Sequence, residues 1–105
     1  METQLSSKDA ANQVLDKWEI SQEVRDAILP TDESSKNNAC RYTLINKIDT
    51  SLQRCFNNAD NVNQFMLMKN YNPFFNGRRP IDIISNGELK ALYEVTKHIR
   101  AMEYR

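Results

Sequence analysis

The stretch ACRYTLINKIDTSLQRCF, residues 39–56, decides the fold class. Cys40, Leu44, Ile45, Ile48, Leu52, Cys55 and Phe56 recur at three- and four-residue spacing. That is the period of one face of an α-helix, and a strand would alternate every second residue instead. Residues 57–60, NNAD, end the stripe, with Asn57, Asn58 and Asp60 favouring caps and turns over a helix interior.

The same period runs outward in both directions. Toward the N-terminus, Ala11, Val14, Leu15 and Trp18 share one helical face over residues 8–18. Ser21 is placed to cap a second short helix with Val24, Ala27 and Ile28 as its stripe and Leu29 alongside. Glu23 falls in its first turn, where the helix dipole favours an acid, and Pro30 stops it. Residues 30–38, PTDESSKNN, read as a loop. Toward the C-terminus, a helix over 61–69 carries Val62, Phe65, Met66 and Met68. Residues 70–80, NYNPFFNGRRP, read as a loop, and Pro80 suits the first position of a short helix over 80–85 with Asp82 in its first turn. The last helix, over 88–103, has Leu89, Leu92, Tyr93, Thr96, Ile99 and Met102 on its buried face. Lys90, Glu94, Lys97 and Arg100 form its solvated face. The expectation is an all-α, compact bundle of five to six helices. Its core should contain Trp18, Ile28, Leu44, Ile48, Leu52, Phe65, Ile84, Leu92 and Ile99.

Composition agrees with long helices and few loops. Only two glycines and three prolines occur in 105 residues, too few for the turns of a sandwich or barrel. The length suits one domain with a modest core. Fourteen basic residues balance fourteen acidic ones, which argues against a generic charge-driven nucleic-acid binder while leaving room for a local basic patch. Cys40 and Cys55 are fifteen positions apart, about 22 Å along one helix, so they cannot bridge and are expected to be small buried thiols of a reducing cytoplasm. No apolar leader opens the chain and no 18-residue apolar run occurs, so neither secretion nor a membrane span is expected. Cysteines, carboxylates and the single histidine, His98, show no metal-ligand spacing. His98 also lacks a nucleophile motif, so a surface or partly packed histidine is expected and an enzyme is not.

Both glycines and two of the three prolines fall within residues 73–87, PFFNGRRPIDIISNG. Such clustering in so sparing a chain marks a loop with demanding backbone geometry. Gly77 after Asn76 suits a turn with positive φ, and Gly87 suits a left-handed cap, although Ser85 and Glu88 have capping-box spacing at the same boundary. This segment resembles the toxin-binding domain of the Xre/MbcA/ParS antitoxin family. The residues that carry the resemblance are Phe65, Met66, Asn72, Pro73, Gly77, Arg78, Arg79, Pro80, Ile81, Asp82, Ile83, Ile84, Gly87, Leu89 and Val95, within about residues 40–102. Less closely, Trp18-Glu19-Ile20-Ser21 and Ile28-Leu29 resemble the first two helices of that family's helix-turn-helix region. The resemblance divides the chain into a reduced helix-turn-helix-like part, 1–38, and a toxin-binding-like part, 39–105, within one compact unit.

The resemblance implies a bacterial, cytoplasmic, non-enzymatic type II antitoxin, with a homodimer as its assembly. Its partner would be a RES-domain toxin that consumes NAD and is neutralised by occlusion. It places the partner-facing surface at the loop and the chain end: Phe75, Asn76, Gly77, Arg78, Arg79, Pro80, Arg100, Tyr104 and Arg105. No cofactor is implied for the chain itself. Residues 30–41, PTDESSKNNACR, depart from the family where a DNA-reading helix would lie, with Lys36 and Arg41 as the only basic groups, so weak and non-specific DNA binding is expected. The alternatives are a DNA-binding transcriptional regulator, or an orphaned helical protein-interaction module. From charge alone, Arg78 and Arg79 would be solvated, with one pairing a nearby carboxylate; as interface groups they should matter little to folding.

Overall fold

Six helices form among the described residues, 6–30 and 35–104, of the structure, a computed structural model. They are α1 (Ser7–Lys17), α2 (Gln22–Ile28), α3 (Ser35–Cys55), α4 (Ala59–Gln64), α5 (Pro80–Ile84) and α6 (Leu89–Ala101). Short 3-10 turns follow α4 at Phe65–Leu67 and α6 at Met102–Tyr104. No strand forms among the described residues. The all-α expectation is met.

Local chemistry starts the first two helices. The Ser6 hydroxyl accepts from the Asp9 amide at 3.1 Å, and the Ser21 hydroxyl accepts from the Val24 amide at 3.3 Å. Each cap is worth about 1 kcal/mol. Packing does the rest. The long α3 lies between α1 and α6, and α5 packs on α6 and on the 3-10 turn at Phe65–Leu67. Trp18, Leu15, Ile28, Ile45, Ile48, Leu52, Leu92 and Ile99 are fully buried, and burying each large side chain contributes roughly 1.5–3 kcal/mol. Two ion pairs tie the N-terminal helices down: Lys17 to Asp49 on α3 at 2.9 Å, and Arg25 to Asp16 on α1 at 2.6 Å.

Several expectations are corrected. Residues 35–38, read as loop, belong to α3, so that helix starts ahead of residue 39. Half-buried Asn37 and Asn38 stay helical because packing along a 21-residue helix outweighs their weak propensity. The rest of that loop, residues 31–34, lies outside the described residues. The break read over 57–60 holds at Asn57 and Asn58, but Ala59 and Asp60 already belong to α4, which Asn58 caps by accepting from the Asp60 and Asn61 amides at 2.7 and 3.4 Å. Leu44 and Phe65 are only half-buried, because they pack at the edge of the core. Tyr93 and Met68 are more exposed than their stripes suggested, at 54% and 59%. Cys40 is exposed and Cys55 half-buried, so neither is the fully buried thiol expected.

The competition at the α5–α6 boundary resolves in favour of glycine. Gly87 has φ +78°, and Glu88 begins α6 without a side-chain cap; its amide instead donates to Asn86 Oδ1 at 2.9 Å. Ser85 donates its hydroxyl backward to the Ile81 carbonyl at 2.6 Å.

Candidate interaction site

The segment between the 3-10 turn at Phe65–Leu67 and α5 folds back on itself. The Asn70 amide donates to the Arg78 carbonyl at 3.1 Å, and the Gly77 amide donates to the Asn70 carbonyl at 2.7 Å. Within the loop, the Asn76 amide donates to the Asn72 carbonyl at 2.8 Å, and Asn70 Oδ1 accepts from the Asn72 amide at 2.9 Å. Closing so short a loop needs two consecutive left-handed residues, Asn76 at φ +52° and Gly77 at φ +83°. Asparagine and glycine are the residues that tolerate that region best. The demanding geometry expected of this loop is present.

The two arginines separate. Arg78 is exposed but folds back on its own loop: its Nε donates to the Phe75 carbonyl at 2.8 Å and a terminal nitrogen to the Phe74 carbonyl at 2.6 Å, with the guanidinium 5.8 Å above the Phe74 ring. These bonds satisfy two carbonyls at the loop bend, a structural role for Arg78 that charge alone did not suggest. Arg79 turns outward and meets Asp82 with two parallel bonds of 2.8 Å. That fork holds the Asp82 carboxyl below its ordinary pKa, chiefly through the hydrogen bonds. Asp82 thus serves Arg79 one turn into α5, and Arg79 fits the charge-based expectation of an arginine paired with a nearby carboxylate.

Two further proposed contact residues are buried. Phe75 is 1% exposed and packs edge-on to Phe74, and Pro80 is buried at the first position of α5. Neither side chain is available to a partner; both fix the loop from beneath. Asn76 is exposed and Gly77 half-buried beside it. At the chain end Arg100 is exposed and Tyr104 is 82% exposed, while Arg105 lies outside the described residues.

The sequence reading missed Tyr71. It is 77% exposed, and its ring edge lies 3.3 Å from where a β-carbon on Gly77 would stand. The available signal was an aromatic residue in a polar loop that belongs to no apolar stripe. It also missed a groove of about 740 Å³ between α3 and the start of α6, floored partly by Cys40, Leu44 and Tyr93. The signal there was three lysines, Lys36, Lys47 and Lys90, flanking apolar positions.

Arg41, one of the two basic groups in the window where a DNA-reading helix was sought, is 3% exposed and donates to the Ile28 carbonyl at 3.1 Å. It is a structural link between α3 and α2. His98 is half-buried with its ring stacked on Phe74. Among the described residues no group of three or more His, Cys, Asp and Glu is gathered as a metal site, and no helix is long and apolar enough to cross a membrane. No protein-family model, curated protein or solved structure matches the chain.

Proposed function

We propose that the chain is a bacterial, type II antitoxin-like protein that binds and occludes a RES-type, NAD-consuming toxin in the cytoplasm, acting by contact and not by catalysis. The observation that carries this reading is the loop 70–79, closed by its own hydrogen bonds, with Tyr71 exposed beside Gly77 and Arg79 on the next residue but one. Tyrosine and arginine on a preorganised support are the side chains that most often anchor a protein interface. The Gly-Arg-Arg-Pro-Ile-Asp segment on which the antitoxin resemblance rests runs from this loop into α5. Within this reading the toxin-facing set is Tyr71, Asn76, Gly77 and Arg79, joined by Arg100 and Tyr104, while Phe75, Arg78 and Pro80 support the loop. A homodimer is the assembly this reading takes from the same resemblance. The burial of Arg41 gives the alternative of sequence-reading DNA binding no favourable observation.

The test is co-expression with a RES-domain, NAD-consuming toxin, taken from beside the gene, following growth and cellular NAD; a gene with no such neighbour would itself count against the reading. The wild-type chain should restore both. Tyr71→Ala with Arg79→Ala should lose the rescue while keeping the wild-type melting temperature. Undiminished rescue by that double variant would sink the assigned surface, and failure of the wild-type chain to restore NAD would sink the antitoxin reading itself.

A further inference from the structure

The groove between α3 and α6 lies apart from the loop 70–79 and is unlike the rest of the surface. Along α3, Ala39, Cys40 and Leu44 follow one another at helical spacing, and Leu89 and Tyr93 face them from α6. Leu44 and Leu89 are half-buried, and Tyr93 is 54% exposed, so the floor is apolar and open to solvent. Lys36 and Lys47 close the two ends of the α3 stripe and Lys90 stands on the α6 side, all exposed. Among the described residues no acidic side chain lines the groove, although the chain as a whole carries as many acids as bases. A neighbouring polar hollow shares Thr43 and Lys47 with it, and its Arg54 is already paired with Glu103 at 3.1 Å, so the groove's lysines, unpaired among the described residues, carry the charge argument.

We infer that this groove is a second docking site, which takes one acidic amphipathic helix from another protein. Charge complementarity selects the occupant: an apolar ridge fits the floor, and flanking carboxylates meet Lys36, Lys47 and Lys90. From Lys36 to Lys47 the stripe rises about 16 Å, so the occupant contributes about three helical turns. A second copy of the chain is a poor match. Two-fold self-pairing of this face sets its lysines against each other, which costs free energy. The acid-bearing α1 has its own apolar ridge, Ala11, Val14 and Leu15, already buried in the core. The inference is independent of the toxin reading, because none of the residues that line the groove belongs to the toxin-facing set.

The test uses the full chain and two fluorescein-labelled designed peptides with the same leucine ridge, one flanked by glutamates and one by lysines. Binding is read by anisotropy at about 0.15 M salt, where exposed charges more than about 8 Å apart are screened. Cys40 supplies a second reading, its alkylation by iodoacetamide followed by mass spectrometry. The glutamate peptide should bind at least about tenfold more tightly than the lysine peptide, a difference of about 1.4 kcal/mol. It should also slow alkylation of Cys40. Tyr93→Glu and Ala39→Glu, both at exposed positions, should each abolish binding with the helical circular dichroism unchanged. Lys36→Glu combined with Lys90→Glu should reverse the peptide preference. Equal binding of the two peptides would overturn the inference, as would binding retained by both groove variants. So would protection of Cys40 by a concentration-dependent dimer seen in sedimentation, which would make the face an interface between copies. Protection by vesicles of phosphatidylcholine and phosphatidylglycerol but not by the glutamate peptide would assign it to a lipid surface instead.

Discussion

The imidazole of His98 on α6 lies face to face with the phenyl ring of Phe74, their centroids 3.9 Å apart and their planes 12° from parallel. Phe75 meets Phe74 edge-on at 5.0 Å, and Arg78 reaches over the same ring. This cluster fastens the loop 70–79 to the last helix, so the exposed Tyr71 and Arg79 are held by a packed base and not by a free-swinging turn.

That arrangement divides the loop's residues by their effect on stability. Arg78→Ala removes two bonds to carbonyls and the contact over Phe74, and Phe74→Ala removes the stack. Each should cost about 1–3 kcal/mol, the range for lost hydrogen bonds to charged groups and for lost aromatic pairs with their buried area. Arg79→Ala breaks only an exposed pair with Asp82 and should leave the melting temperature unchanged. Urea unfolding of the three variants checks the division. An Arg78→Ala protein as stable as wild type would show that the loop holds without its guanidinium.

The sequence made the helices legible where burial follows a regular period. Ile45, Ile48 and Leu52 on α3, and Leu92, Thr96 and Ile99 on α6, repeat every three or four residues and are all buried. The backbone demands of the loop were legible too, because Asn76-Gly77 and Gly87 announce positive φ whatever surrounds them. What period cannot report is which part of an apolar stripe finds a neighbour. Cys40 and Tyr93 sit in good stripes, yet α3 and α6 diverge there and leave a groove. Nor does spacing tell two adjacent arginines apart. Arg78 and Arg79 differ only in what the folded loop brings to them: carbonyls for one, Asp82 for the other.

Gly87 carries a stronger prediction than Gly77, although both have positive φ. A β-carbon at Gly87 would stand 2.9 Å from the Ala27 carbonyl oxygen, which is backbone and cannot turn aside. At Gly77 the nearest atom belongs to the Tyr71 ring, at 3.3 Å, which can swing away. Gly77→Ala should therefore cost only the left-handed strain, about 1 kcal/mol. Gly87→Ala adds displacement of α2 from the start of α6 and should cost about 2 kcal/mol or more. Urea midpoints with unchanged slopes measure the difference, and equal losses would mean that the contact with Ala27 relaxes freely.

The last turn of the chain gives a prediction in pH. Glu103 accepts the Ser51 hydroxyl at 2.6 Å and an Arg54 nitrogen at 3.1 Å, joining the 3-10 turn at Met102–Tyr104 to α3. The Ser51 bond first, and then the Arg54 bond, lower the Glu103 carboxyl below its ordinary pKa of 4.5. The folded state thus binds this proton less readily than the unfolded chain does. By linkage, the stabilisation is fully present above the ordinary value and is lost as pH falls through the lowered one. Glu103→Gln keeps the shape and removes the charge. Wild type should melt at a higher temperature than this variant at neutral pH, and the gap should close only below about pH 4.5, the ordinary range for a glutamate. Asp82 titrates in both proteins and cancels in the comparison. A melting-temperature gap that stays constant down to pH 3, or one that closes well above the ordinary glutamate range, would show that the charge on Glu103 does not hold the chain end to α3.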